Sequence, residues 1–233
     1  MTIALIGSGE YLPPMQPVDL DLIRRLGKPA RVVCLPTAAG KEGAERIDYW
    51  SRLGVDHFTR LGVECETLPM IDFHSANDPG AARIIGEANF VYLSGGNPAY
   101  LYSSLAGTLV WEAILSILAV GGILAGCSAG AMVMGGKIIG FPISRPAFNL
   151  LPGAVVIPHY DEFPGRLLSL LRWLAGKRAT IVGIEANTAL LYDGEHCEVL
   201  GSGGVTYWDT DRKLRFLHGH RFVWSHSVNI RRI

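Results

Sequence analysis

Short apolar runs with strand character punctuate the first part of the chain, at residues 3–6, 31–35, 64–68, 90–93, 122–125, 155–158 and 180–184. They are continuously apolar rather than alternating, as strands covered on both faces are. Between the early runs, residues 45–61, 80–87 and 100–118 carry apolar side chains at helical spacing. Strands alternating with helices predict an α/β fold of three layers, a mostly parallel sheet with helices on both faces. After residue 185 the texture changes. Runs at 188–192, 198–200 and 205–208 are separated by Asp-Gly and Gly-Ser-Gly-Gly, which predicts late antiparallel hairpins added at a sheet edge. No repeat or low-complexity segment interrupts the pattern, so residues 1–233 read as one domain. Residues 136–153 hold glycine and proline without a period and read as a loop near the active face.

Composition narrows the chemistry. Of the 233 residues 49% are hydrophobic, enough for a sizeable core. Lys plus Arg and Asp plus Glu number 21 each, so the formal net charge is zero. That balance offers no basic field for nucleic acid and no pull toward anionic membrane, leaving a small molecule or peptide as the expected partner. A homodimer is allowed by the same composition. Cys34, Cys65, Cys127 and Cys197 are scattered, with no Cys or His spacing that suits zinc, so neither metal nor cofactor is expected. Free cysteines in apolar strands point to a reducing compartment. The opening residues lack the positive flank of a signal peptide, and the most apolar helical stretch, 109–120, carries Glu112 and is too short to span a bilayer. A cytoplasmic protein is the expectation.

In open α/β sheets, ligands sit beyond the carboxyl ends of the strands, so the segments that follow strands are the ones to search. Gly126-Cys127-Ser128-Ala129-Gly130 passes from strand through a tight turn into a helix. In that context Gly-x-Ser-x-Gly predicts a nucleophile elbow, with Ser128 exposed at a helix N-terminus. A glycine-rich turn whose serine only caps the helix is the alternative. A serine nucleophile needs oxyanion donors and a base. The amide of Ala129 is one candidate donor. The turn Ser94-Gly95-Gly96-Asn97 after another strand could supply a second, as well as substrate contacts from Gly95 and Asn97. Among seven histidines, His159 alone follows directly on a buried-strand pattern. His57 and His74 read as surface positions, and the His218-Gly219-His220 pair has no third ligand. To orient the base, Glu185 stands at the end of a buried strand, where an acid must be paired. Asp161 and Glu162 are alternatives, though their closeness to His159 in sequence makes reaching back to the imidazole awkward.

Taken together these residues resemble the dipeptidase E and cyanophycinase group of serine peptidases, whose fold is class I glutamine amidotransferase-like (flavodoxin-like). The similarity covers most of the chain: Ala4–Glu10 with the opening strand and loop, 94–97 with a Gly-Gly-Asn turn, 126–131 with the elbow. Pro158-His159-Tyr160 is similar to the base-bearing segment, Arg166-Leu167-Leu168 to the helix after it, 183–189 to a Gly-Ile-x-Glu-x-Thr-Ala segment, and 198–205 to a late hairpin. The resemblance implies Ser128 as nucleophile, His159 as base and Glu185 as third member. It also implies oxyanion donors from Gly96 and Ala129, and a preference for aspartyl or β-aspartyl linkages. One departure is that residues 129–158 contain no Asp or Glu, where some members carry a functional acid. Another is the segment Pro142–Pro146, whose Arg145, with Arg166, could bind a substrate carboxylate bidentately. Three rivals stay open: an α/β-hydrolase esterase with its base at His218, His220 or His226, an amidotransferase-like domain, which would carry cysteine where Ser128 stands and for which Cys127 is in the wrong register, and a non-catalytic binding or regulatory protein on the same scaffold.

Overall fold

The computed structural model describes residues 1–140, 143–176 and 178–224. Pro142 and His226 lie outside them. In chain order the first half contains β1 (Thr2–Ile6), α1 (Gln16–Arg25), β2 (Arg31–Leu35), α2 (Ala44–Arg60), β3 (Glu64–Thr67), α3 (Pro79–Glu87), β4 (Phe90–Leu93), α4 (Pro98–Leu105), α5 (Leu109–Ala119), β5 (Ile123–Cys127) and α6 (Ala129–Met134). The second half contains β6 (Lys137–Ile138), β7 (Arg145–Pro146), β8 (Ala154–Ile157), α7 (Gly165–Ala175), β9 (Thr180–Ile184), β10 (Thr188–Tyr192), β11 (His196–Gly201), β12 (Gly204–Trp208), β13 (Lys213–Leu217) and β14 (Arg221–Val223).

The main sheet has the order β14-β11-β10-β1-β5-β4-β2-β3, with β1, β5, β4, β2 and β3 parallel and the β10, β11 and β14 edge antiparallel. Alternate residues on each strand serve opposite layers. Ile3, Leu5, Val33, Leu35, Val91, Leu93 and Leu124 join the core under α3, α4, α5 and α6. Ala4, Ile6, Val32, Cys34, Phe90, Tyr92, Ala125 and Cys127 join the core under α1 and α2. Both faces are dry, which is why the strands read as unbroken apolar runs. The three-layer, mostly parallel arrangement expected from the sequence is present.

Three features depart from the pattern reading. Residues 155–158 and 180–184 do not extend the main sheet, because β10 occupies the free edge of β1. Instead β8 and β9 pair in parallel, and β12 and β13 add antiparallel to give a second sheet, β13-β12-β9-β8. Its inner residues Val182, Ile184, Val205, Tyr207 and Phe216 share one core with the helices of the main sheet. Thus β10 and β11 form the expected edge hairpin, whereas β12 belongs elsewhere. Second, the periodic stretch 100–118 is two helices meeting at 91°. Gly107 (φ +73°) turns the chain, and Thr108 caps α5 by accepting from the Trp111 amide at 3.2 Å. Among the described residues no single helix is long and apolar enough to cross a membrane. Third, His57 is not on the surface. It is fully buried against Asp19, Nε2 to Oδ2 2.8 Å, because α2 turns that face toward α1. Within 136–153, β6 and β7 form a small antiparallel ladder inside the expected loop.

The register fixes where chemistry can occur. Ile6 lies beside Cys127 and Leu93 beside Gly126, so β1, β4 and β5 end together. The segments after them, beginning at Gly7, Ser94 and Ser128, converge at one edge. From α6 the chain is tied to β8 through the backbone: Gly136 N–H donates to Ala154 O at 2.7 Å, and Leu151 N–H to Met134 O at 2.9 Å.

Candidate active site

Ser128 sits at the junction of strand and helix. Its N–H still donates to Ile6 O on the neighbouring strand at 3.0 Å, while its C=O already accepts from Met132 N–H at 3.0 Å, the first bond of α6. Changing from one bonding pattern to the other within a single residue requires an unusual backbone, φ 52° and ψ −108°. For a non-glycine residue that conformation costs about 1–3 kcal/mol, held in place by the surrounding fold. The flanking glycines are sterically required. A Cβ at Gly126 would stand 2.5 Å from the Gly130 carbonyl carbon, and one at Gly130 would stand 2.4 Å from Leu93 O. The Ser128 side chain makes no cap bond to α6. It is turned instead to His159, whose Nε2 lies 3.1 Å from Oγ.

His159 follows β8 in a left-handed conformation, φ 51° and ψ 36°. A 3-10 turn, Tyr160–Glu162, comes next, and in such a turn residues i and i+3 eclipse. Glu162 is thereby folded back over the imidazole, with Oε1 3.4 Å from Nδ1 and its own N–H on His159 O at 3.0 Å. Asp161 points the other way and accepts from Ala186 N–H at 2.9 Å.

Glu185 is not brought to His159. Both its oxygens are engaged by Arg215, Nε to Oε1 2.6 Å and Nη2 to Oε2 2.6 Å, and Oε2 also accepts from Gly204 N–H at 2.8 Å. The Arg215 hydrogen bonds, with the Gly204 amide, hold this carboxyl below its usual range. The acid at the end of β9 is paired, as burial demands, but by a guanidinium from the β12–β13 hairpin rather than by imidazole. The expectation failed because β12 and β13 join the second sheet beside β9, and the primary sequence gives no sign of that pairing.

The remaining candidates are placed as follows. Ala129 opens α6, so its N–H belongs to the first turn and has no acceptor within the helix. Gly96 (φ +140°) has no hydrogen-bond partner for its N–H among the described residues, and a Cβ there would stand 2.5 Å from Ala38 O. Gly95 is buried beside the serine, but its N–H is already spent on Glu10 Oε1 at 3.1 Å. Asn97 is likewise committed: its Oδ1 caps α4 by accepting from Tyr100 N–H at 2.9 Å. Arg145 on β7 and Arg166 in the first turn of α7 are exposed and unpaired among the described residues. His218 and His220 lie in the turn between β13 and β14, not on a strand, and His220 Nδ1 lies 2.9 Å from Leu217 O. The imidazole on Ser128 is His159, not one of that pair. Cys127, adjacent to the serine, is buried in the opposite layer. Burial, and then the neighbouring Glu10, push its thiol well up, so it is no competing nucleophile. Among the described residues no His, Cys, Asp and Glu cluster could hold a metal.

Comparison with known proteins identifies the family. The family model for peptidase family S51 matches residues 3–200. The chain belongs to peptidase family S51. Among solved structures, a peptidase from an acI-B1 Actinobacterium superposes with a TM-score of 0.87 at 31% identity, covering 95% of this chain and 96% of that one. A candidate peptidase E protein from Listeria monocytogenes EGD-e superposes with a TM-score of 0.60 at 18% identity, covering 93% and 98%, and shares the fold. Among curated proteins there is no match. The S51 chain is therefore a peptidase of the serine hydrolase class.

One residue of the site entered the sequence reading only as the end of the opening strand and loop, with no role of its own. Glu10, in the turn after β1, is buried at 9% exposure and contacts both the 94–97 turn and the elbow. The signal was an acid immediately after an apolar strand and two glycines, the same kind of signal that drew attention to Glu185.

Proposed function

We propose that this S51 peptidase cleaves small aspartyl or β-aspartyl peptides through an acyl-enzyme on Ser128, with His159 as base and Glu162, in place of Glu185, as the acid that orients it. The observation that carries this reading is the 3.1 Å contact between Ser128 Oγ and His159 Nε2 at a strained elbow. With Glu162 facing Nδ1, that nitrogen carries the ring proton and Nε2 is left to accept from the hydroxyl. As Oγ attacks the carbonyl carbon, its proton passes to Nε2, and the imidazolium is stabilised by the carboxylate. The tetrahedral oxyanion is held by the amides of Gly96 and Ala129, each worth roughly 3 kcal/mol. Collapse sends the proton from Nε2 to the leaving amine, and water then hydrolyses the ester by the same exchange in reverse. Support for an acidic substrate side chain comes from the group this chain resembles, with Arg145 and Arg166 as cations not already spent on internal pairs.

The test is reaction with a fluorophosphonate, identification of the modified residue by mass spectrometry, and turnover of α- and β-aspartyl dipeptides by wild type and Ser128→Ala. Labelling at Ser128, and hydrolysis that disappears in the variant, are the expected results. Hydrolysis that survives Ser128→Ala would overturn the assignment.

A further inference from the structure

Glu10 is the one buried acid at this edge of the sheet that the proposed reaction does not use. It leaves β1 through a turn with two left-handed residues, Gly9 (φ +89°) and Tyr11 (φ +63°). Tyr11 is not a glycine, so this turn also carries strain, and the fold sustains it by satisfying both side chains inside the molecule. Tyr11 OH bonds Ser94 Oγ at 2.9 Å, and its ring packs on Tyr92 at 4.9 Å between centroids. Glu10 Oε1 accepts from Gly95 N–H at 3.1 Å, and Oε2 accepts from the Cys127 S–H at 2.8 Å. These contacts join residues 85 and 117 positions apart. A single carboxylate thus ties the turn after β4 to the residue immediately before Ser128.

The consequence for the site is directional. Successive amides in the 94–97 turn go to different acceptors: Ser94 N–H donates to Leu35 O at 3.1 Å and Gly95 N–H to Glu10 Oε1 at 3.1 Å. A Cβ at Gly95 would lie 2.8 Å from Glu10 Oε1 and 3.5 Å from Ser128 Cβ, so no more than a methyl group's space separates this glycine from the nucleophile. With the Gly95 amide drawn back toward Glu10, the next amide, Gly96 N–H, is the one left facing outward without a partner among the described residues. Ala38 O, which accepts from Asn97 N–H at 2.9 Å, pins the far side of the same turn. We infer that Glu10 is a positioning residue, a buried clamp that fixes the distance and orientation between the Gly96 amide and Ser128, so that the oxyanion donor is set before substrate arrives. The inference rests on the Ser128 reading above and adds to it a residue that never touches substrate.

The test uses Glu10→Ala, Glu10→Asp and Glu10→Gln in the full chain. Alanine removes both contacts, and aspartate keeps the charge but is one methylene too short to bridge them. Glutamine keeps an oxygen for Gly95. Active sites are first titrated with fluorophosphonate, so that misfolded protein is not counted. Per titrated site, Glu10→Ala and Glu10→Asp should lower kcat on an aspartyl para-nitroanilide about 10–100-fold, somewhat less than deletion of an oxyanion donor. KM should stay within about threefold, because the donor matters most in the transition state. Phosphonylation of Ser128 should slow in parallel, and Glu10→Gln should recover most of both rates. A second readout needs no turnover: the Gly95 amide should be protected from hydrogen exchange in wild type and Glu10→Gln, and exposed in Glu10→Ala and Glu10→Asp. A purely structural Glu10 would lower Tm and the titrated fraction while leaving kcat per site within about twofold of wild type, and that result overturns the proposal. If wild type itself fails to label at Ser128, the nucleophile assignment falls, and the exchange experiment still decides the clamp. Should Glu10→Ala not fold, Glu10→Asp against Glu10→Gln draws the same distinction.

Discussion

Two acids stand close to the base segment, and the structure separates their jobs in a way that substitution can test. Glu185→Ala removes a bidentate partner of Arg215 and the acceptor of Gly204 N–H. The Arg215 side chain is 53% exposed, so the ion pair by itself is screened and worth at most about 1 kcal/mol. Gly204 is buried, and leaving its amide without an acceptor costs about 1–3 kcal/mol. The sum is about 1–4 kcal/mol, which for a chain of this size corresponds to a fall in Tm of roughly 2–16 °C. Because Glu185 makes no contact with His159, kcat per titrated site should change by less than about twofold. Glu162→Gln should do the reverse. Its side chain is 64% exposed and holds nothing but the imidazole, so Tm should move by less than about 2 °C, as for surface substitutions. Its kcat should fall about 10–100-fold, as expected when the base loses the group that orients it and stabilises its cation. Thermal melts alongside kinetics on the titrated enzyme resolve both. A Glu185→Ala protein with an unchanged melt and a kcat lowered about tenfold or more would return the third position to Glu185 and refute the argument.

Other predictions follow from single contacts. Ser128→Gly should abolish fluorophosphonate labelling yet raise stability in urea titrations by about 1 kcal/mol, since glycine relieves the positive φ. Gly130→Ala places a methyl 2.4 Å from Leu93 O, and soluble yield and Tm should both drop sharply, beyond the usual cost of overpacking, about 1–3 kcal/mol. The Glu185 carboxyl has a depressed pKa, so its stabilisation is complete above the ordinary glutamate value of 4.5 and is lost as pH falls through the depressed value. Urea midpoints measured from about pH 6 to about pH 3 should therefore fall less steeply in Arg215→Ala than in wild type. Asp19→Ala leaves the buried His57 without its hydrogen-bond partner and should cost about 1–3 kcal/mol, while replacing both by apolar residues of similar volume should restore most of the loss.

What the chain disclosed in advance was governed by sequence distance. The elbow was legible because Gly126 and Gly130 are forced by contacts within the same strand-turn-helix unit and with one neighbouring strand. His159 was legible because a buried strand ends just before it. Glu162 was discounted for standing three residues from the base, yet a 3-10 turn makes that spacing an advantage. Glu185 was expected beside His159, but its partner is Arg215, which arrives from a hairpin whose sheet the pattern does not name. Glu10 was read only as part of the opening loop, because both of its contacts are made by segments far along the chain. Likewise, His57 lies on a helix whose apolar face was clear, but α1, which covers it and supplies Asp19, left no strong period of its own.

The hydroxyl and the imidazole ride on different sheets, Ser128 at the tip of β5 and His159 at the tip of β8. The short helix α6 and main-chain bonds such as Gly136 N–H to Ala154 O run from one to the other. Such a ruler is made of peptide groups, so its length is nearly indifferent to which side chains fill the surrounding layers. Exchanging the supporting acid, the cations at the rim or the loop residues of the pocket therefore leaves in place the spacing on which bond cleavage turns.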